Sequence, residues 1–309
     1  MKEIKIIAPA TIANLVCGFD ILGMALKAPF DEMTLSLSET PGITIQHTDE
    51  YNLPEAADKN VSGAALQALI EEYQKPIGFN LIIHKNIKPG SGLGSSAASS
   101  AGAVVAANHL LGNIFSKEDL VRFAMNGEKI AGGVKHADNV SPCIYGGVTL
   151  IRSIFPLDIV PLNSPDLFIT IVHPQIEVRT SDSRQILRKE VLLKDAIKQW
   201  GNIGGLIVGF MKKDPELIGR SMEDVIIEPV RSILIPGFDE VKKNCKEAGA
   251  LGGGISGSGP SVFMISKEES TAIKVEEIMK EIYQKIGVDY KTYVTQINPH
   301  GVKIIESNQ

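Results

Sequence analysis

Several things are scarce in this chain of 309 residues: it has three cysteines, one tryptophan and no run of 18 apolar residues. Cys17, Cys143 and Cys245 lie far apart and form no CxxC pair. That argues against a disulfide framework and against a cysteine-rich zinc site, and fits a reducing compartment. The N-terminus, MKEIKIIAPATIANL, sets charges among its first apolar residues and has no long apolar stretch. Export and membrane insertion are therefore not expected, and a cytoplasmic location is. Excess positive charge is also missing. The formal net charge is -5, with acidic and basic residues mixed along the chain, so no nucleic-acid partner is expected.

What is present describes a globular enzyme-sized protein. A hydrophobic content of 44% over this length supplies more apolar surface than one ordinary core absorbs, which points to two domains, placed at 1–155 and 156–309. Short strand-like runs cover 4–7, 33–37 and 43–47, with two-residue alternation clearest in MTLSLS. A helical pattern over 61–73 and a strand over 79–83 lead into a glycine-rich loop and a helix of small residues over 95–111. Helical sequence at 117–130, a polar turn at 136–142 and a strand at 147–151 follow. Three prolines between Phe155 and Pro165 mark the expected linker. Beyond it a strand at 167–172, helices at 181–193, 196–211 and 238–248, and the glycine cluster GGGISGSGP come in turn. The end reads strand 262–265, helix 268–286, and strands 291–294 and 302–305, a pattern that suits a small α+β sandwich.

The most informative stretch is PGSGLGSSAASSAGA, Pro89 to Ala103. Gly90, Gly92 and Gly94 free the backbone for close approach, and small residues then start a helix. Backbone N–H groups at the positive end of a helix dipole hold phosphate without any side-chain charge. The loop is not a Walker A motif, which needs Lys at the end of GxxxxGK[ST], and GxGxxG fails because Ser95 stands at the third glycine position. A tight strand-to-helix turn with Ser95 or Ser96 as cap is the plainer alternative. The density of small residues around the double serine favours phosphate.

PGSGLGSSAAS resembles the second motif of the GHMP kinases. APATIANLVCGFD, Ala8 to Asp20, is similar to the first motif of that superfamily, and GGGISGSGP, Gly252 to Pro260, to the third, in family order and spacing. The loop departs from the family in one respect: Lys88 occupies the usual proline position and Pro89 directly precedes Gly90. The resemblance implies an α+β, two-domain fold, with an N-terminal domain like domain two of ribosomal protein S5 and a C-terminal ferredoxin-like α/β sandwich. It also implies an ATP-dependent kinase acting on a small-molecule hydroxyl. TIANL with GFD, HADN at 136–139 and EPVR at 228–231 resemble most the members that phosphorylate L-homoserine in threonine biosynthesis. Another acceptor (mevalonate, a sugar or shikimate) or a silent nucleotide sensor stays open.

By the same resemblance, ATP is held by Lys88, Pro89, Gly90, Ser91, Gly92, Leu93, Gly94, Ser95, Ser96, Ala97 and Ala98, and Mg²⁺ by Ser96 and Glu128. One hydroxyl and one carboxylate are the sparse protein set that Mg²⁺ takes beside phosphate and water. Asp20 is expected at the substrate ammonium, Arg184 and Arg231 at its carboxylate, and Thr180 at a further polar contact. Asn14, His136, Asn139 and Gly257 are expected around the substrate, Asn14 and Asn139 with catalytic roles, and Asp138 is not expected to act as base. Trp200 is assigned to packing or an interface, and a homodimer is the analogy from the superfamily.

Overall fold

A computed structural model describes residues 2–178 and 180–308. The first half runs β1 (Glu3–Ala13), β2 (Leu22–Ser38), β3 (Gly42–His47), α1 (Val61–Tyr73), β4 (Gly78–His84), α2 (Ser95–Leu110), α3 (Lys117–Gly132), α4 (Val140–Tyr145), β5 (Val148–Ile154) and β6 (Leu157–Leu162). The second runs β7 (Phe168–Pro174), α5 (Thr180–Gln185), α6 (Leu193–Lys212), α7 (Pro215–Ser221), α8 (Glu228–Arg231), α9 (Phe238–Glu247), β8 (Gly252–Ile255), β9 (Val262–Ser266), α10 (Glu269–Ile286), β10 (Tyr290–Gln296) and β11 (Lys303–Asn308).

Two sheets result, in the α+β arrangement that the motifs imply. The larger has the order β11-β1-β2-β4-β3, with β5 pairing β2 and β6 pairing β5. β1 and β2 are antiparallel, and their register shifts between Pro9 and Thr11, where proline removes a ladder donor. The smaller sheet is antiparallel in the order β10-β7-β9-β8. α2 is buried along most of its length because its residues are small, and a Cβ on Gly102 would stand 2.5 Å from Met33 Sδ. Such closeness lets the phosphate-loop helix lie directly on β1 and β2.

Three sequence expectations change. The stretch around 155–165 is not a linker: β6 forms a hairpin with β5, and Pro161 is tolerated because β6 pairs with β5 alone and is an edge. The strand expected at 302–305 does not join the small sandwich; as β11 it pairs antiparallel with β1 and covers an otherwise open edge of the first sheet. The helix expected over 181–193 stops at Gln185, and Val191, Leu192 and Leu193 face solvent before and at the start of α6. β8 was not foreseen, because GGGI offers no side-chain pattern to read.

Candidate active site

The glycine loop enters α2 through three left-handed residues, Gly90, Gly92 and Gly94, at φ 75, 78 and 66°. Gly94 is the N-cap and has no side-chain capping bond, so neither serine caps the helix. The first intrahelical bond is from Ala98 N–H to Gly94 O, 2.9 Å, which leaves the amides of Ser95, Ser96 and Ala97 ahead of it to bind an anion. The other side of the loop is held by the second glycine cluster. Ser256 Oγ donates to Gly92 O and Ser261 Oγ to Ser91 O, each at 2.7 Å. A Cβ on Gly92 would stand 2.6 Å from Gly259 O, so the two glycine loops meet backbone to backbone. A Cβ on Gly94 would lie 1.9 Å from Thr11 Oγ1, which brings the first motif into the same contact.

Two lysines flank the loop without entering it. Lys85 is buried; its ammonium pairs with Asp31 and donates to Ser95 O at 3.0 Å and Ser99 Oγ at 2.7 Å. Asp31 Oδ1 also accepts from the N–H groups of Asn86 and Ile87, both at 2.8 Å. Lys88 turns instead to Gln175 on the far side, donating to Oε1 at 2.8 Å. Leu93, Ala97 and Ala98 pack in the core, while Pro89, Gly90, Ser91, Gly92, Gly94, Ser95 and Ser96 line the cleft.

That cleft has a volume of about 640 Å³ and runs from Leu53, Lys59, Val61, Ile130 and Ala131 at one end to Arg184, Arg231 and Gly257 at the other. The apolar end carries no motif, and sequence reading missed it. At the charged end Arg184 Nη2 donates to Asp20 Oδ1 at 2.7 Å, and His136 Nδ1 lies 3.8 Å from the same oxygen. Asp20 sits at φ 62° after a turn in which Asn14 Oδ1 accepts the Asp20 N–H at 3.0 Å. Asn14 Nδ2 donates to Gly257 O at 2.9 Å, and Arg231 Nη1 donates to the same carbonyl at 3.0 Å. Gly257 is thus a hub joining the first motif, the third motif and EPVR. Burial lowers the His136 pKa, with Asp20 opposing and Arg184 reinforcing the effect. The Thr180 side chain lies outside the described residues.

Glu128 and Asp138 are buried carboxyls on the cleft wall. Burial pushes Glu128 up to about 7 against a hydrogen bond with Ser96, and its Oε1 has no protein partner. A buried carboxylate with a free oxygen beside a hydroxyl at a phosphate-binding helix fits a hard divalent cation such as Mg²⁺. Burial raises Asp138 likewise to about 7, followed by the charges of Asp20 and Glu128. Next to it, Asn139 Oδ1 accepts from Thr11 Oγ1 at 2.7 Å.

Comparison with known proteins agrees with this geometry. Residues 60–147 match the GHMP kinases N terminal domain and residues 206–285 the GHMP kinases C terminal domain. The chain is 44% identical to the homoserine kinase of Chloroherpeton thalassium over 93% of this chain and 94% of that one. It is 40% identical to the homoserine kinase of Methanococcus maripaludis over 97% of each. The crystal structure of homoserine kinase from Cytophaga hutchinsonii superposes with a TM-score of 0.94 at 48% identity, covering 98% of this chain and 97% of that one.

Proposed function

The chain belongs to the GHMP kinase family, and on that premise we propose that it transfers the γ-phosphoryl group of ATP to the hydroxyl of L-homoserine, a step of threonine biosynthesis. The observation that carries the acceptor is the 2.7 Å contact between Asp20 and Arg184 within reach of the phosphate loop. An α-amino acid bears its ammonium and carboxylate on one carbon, so their partners must be neighbours of opposite charge. Asp20 and Arg184 are such neighbours, and Arg231 adds a second guanidinium for the carboxylate. Mevalonate and sugars offer no ammonium for Asp20.

In this reading the amides from Gly90 to Ser96 hold the ATP phosphates, and the apolar end of the cleft takes the base. Ser96 and Glu128 would hold Mg²⁺, which would offset the charge developing on the transferred phosphate. Asp20, Arg184 and Arg231 fix the amino-acid end, and Asn14 keeps Asp20 in place through its backbone N–H. Asn139 and His136 face the hydroxyl end. The hydroxyl oxygen forms its bond to the γ-phosphorus as the bond from phosphorus to the β–γ bridging oxygen breaks, and ADP departs. Asn139 has no basic atom and His136 is assigned to binding the substrate, so the hydroxyl proton leaves to phosphate or water, and positioning supplies most of the rate.

The test is ADP release from purified protein and Mg-ATP with homoserine, serine, mevalonate, galactose or shikimate as acceptor. Stimulation by homoserine alone is expected. A faster rate with another acceptor would refute the amino-acid pocket, and ATP binding without turnover of any acceptor would make the chain a sensor.

Two further features belong to this reading. The three thiols are all unpaired, in keeping with a cytoplasmic enzyme. α6 turns Leu193, Ile197, Trp200, Val208 and Met211 to solvent along one stripe, and Trp200 is 62% exposed, which favours an interface over internal packing. A second copy of the chain is its occupant, as a homodimer. Sedimentation should give a dimer for the native chain and a monomer for Trp200→Glu; a native monomer at working concentration would refute it.

A further inference from the structure

Phe19 lies within the first motif, directly before the acidic residue of the substrate end, and the roles above leave it without a task. It is half-buried and lines the cleft. The chain around it is tightly fixed: Asn14 N–H donates to Leu22 O at 2.7 Å, Gly18 N–H to Asn14 O at 2.8 Å, and Leu22 N–H to Gly18 O at 3.0 Å. A ring carried on such a turn has a set position. Two guanidiniums from separate segments of the second domain come to it: Cζ of Arg184, on α5, lies 5.4 Å from the ring centroid, and Cζ of Arg231, on α8, lies 4.9 Å from it.

Two like charges this close to one another are costly to hold. Burial first, and the Arg184 charge after it, pull the Arg231 pKa down to about 10, so repulsion adds to the cost of burying this guanidinium. Asp20 neutralises only one of the pair directly, since its hydrogen bond goes to Arg184. Arg231 is anchored by donation to Ser183 O at 3.1 Å and Gly257 O at 3.0 Å, both uncharged. The negative face of the Phe19 ring lies within 6 Å of both guanidiniums and attracts a cation without satisfying its hydrogen-bond donors. A carboxylate side chain in that place would occupy the donors that the substrate needs.

We propose that Phe19 is a positioning residue that sets acceptor specificity: its π-face gathers Arg184 and Arg231 into one fork for the α-carboxylate while itself occupying none of their N–H groups. This rests on the amino-acid acceptor reading above, and the two fail separately. If the unmodified enzyme releases no ADP with homoserine, that reading falls before Phe19 is touched.

The ring's quadrupole is tested at nearly constant shape by placing 4-fluoro-, 3,5-difluoro- and pentafluorophenylalanine at position 19 of the full chain. Each fluorine weakens the negative face. The expected result is a stepwise rise in the homoserine KM, reaching roughly tenfold with the pentafluoro ring, while the ATP KM and the melting temperature stay at the native values. Phe19→Tyr, which keeps the face, should bind homoserine as the native enzyme does, and Phe19→Leu should match the pentafluoro ring. A homoserine KM that is flat across the fluorinated series would overturn the proposal. So would an equal rise in the KM values of homoserine and ATP, because a ring that merely packs would disturb both ends of the cleft.

Discussion

Thr11 Oγ1 donates a 2.7 Å hydrogen bond to Asn139 Oδ1, joining residues 128 positions apart at the point where the first motif meets the phosphate loop. With its carbonyl oxygen engaged by Thr11, the amide of Asn139, which lines the cleft, keeps its NH₂ group as a donor. Thr11→Val keeps the volume and removes the hydroxyl. It should lower kcat by roughly 3- to 10-fold with the homoserine KM nearly unchanged, the loss of about one hydrogen bond felt in the transition state. Thr11→Ser should restore kcat. Steady-state kinetics on the three forms decides it, and a change confined to KM would place Asn139 in ground-state binding instead.

Ser96 and Glu128 line the cleft within hydrogen-bond reach of each other and are the hydroxyl and carboxylate proposed to hold the metal. Ser96→Ala and Glu128→Gln should each raise the Mg²⁺ concentration for half-maximal activity, by roughly 10- to 100-fold, the range for losing a contact to a charged group. Mg²⁺-dependent tightening of ATP binding, followed by calorimetry without acceptor, should weaken in parallel. An unaltered Mg²⁺ titration in Glu128→Gln would remove that residue from the metal's shell.

The sequence was most readable where chemistry demands unusual residues. Glycines at 90, 92 and 94 announced the loop: all three take positive φ, and at 92 and 94 only a residue without Cβ fits against the Gly259 carbonyl and Thr11. Asp20, Arg184 and His136, scattered over more than 160 positions, were placed only through motif resemblance, yet they lie in contact. Their meeting depends on the turn after β1 and on α5, which no local pattern encodes. β6 and β11 were misassigned for a related reason: strand pairing is non-local, and neither Pro161 on an edge nor the polar KIIESN says which partner a strand takes. The apolar part of the cleft stayed hidden because Leu53, Val61 and Ile130 look like any apolar residues until the fold gathers them. Lys85 is a buried brace, a role that its place in the sequence does not announce.

The Lys85–Asp31 pair has both side chains almost fully buried beneath the loop. Removing one charge strands the other, so Lys85→Met should destabilise the fold by about 3 to 5 kcal/mol, read as a lower urea midpoint. The double variant Lys85→Met, Asp31→Asn should recover part of that loss, since no isolated charge remains. Because Lys85 also holds Ser95 O and Ser99 Oγ, the single variant should bind ATP more weakly even at temperatures where it is folded.

His173, on β7 opposite Lys291 of β10, couples stability to pH. It is buried, and burial followed by the charges of Lys88 and Lys291 lowers its pKa to about 4. An unfolded chain takes a proton on this ring near pH 6.5, whereas the folded chain refuses it until about pH 4. The stability contributed by the neutral ring is therefore complete above about pH 6.5 and is lost as the pH falls toward 4, by at most about 3 kcal/mol. Gln175 Nε2 lies 3.1 Å from His173 Nδ1, and the Gln175 Oε1 holds Lys88, so protonation of the ring also loosens the lysine at the mouth of the phosphate loop. Urea unfolding at pH 7, 5.5 and 4.5 should show His173→Gln losing less stability across this range than the native chain. If the two curves run parallel, the acid sensitivity lies with the buried carboxyls and His173 only packs.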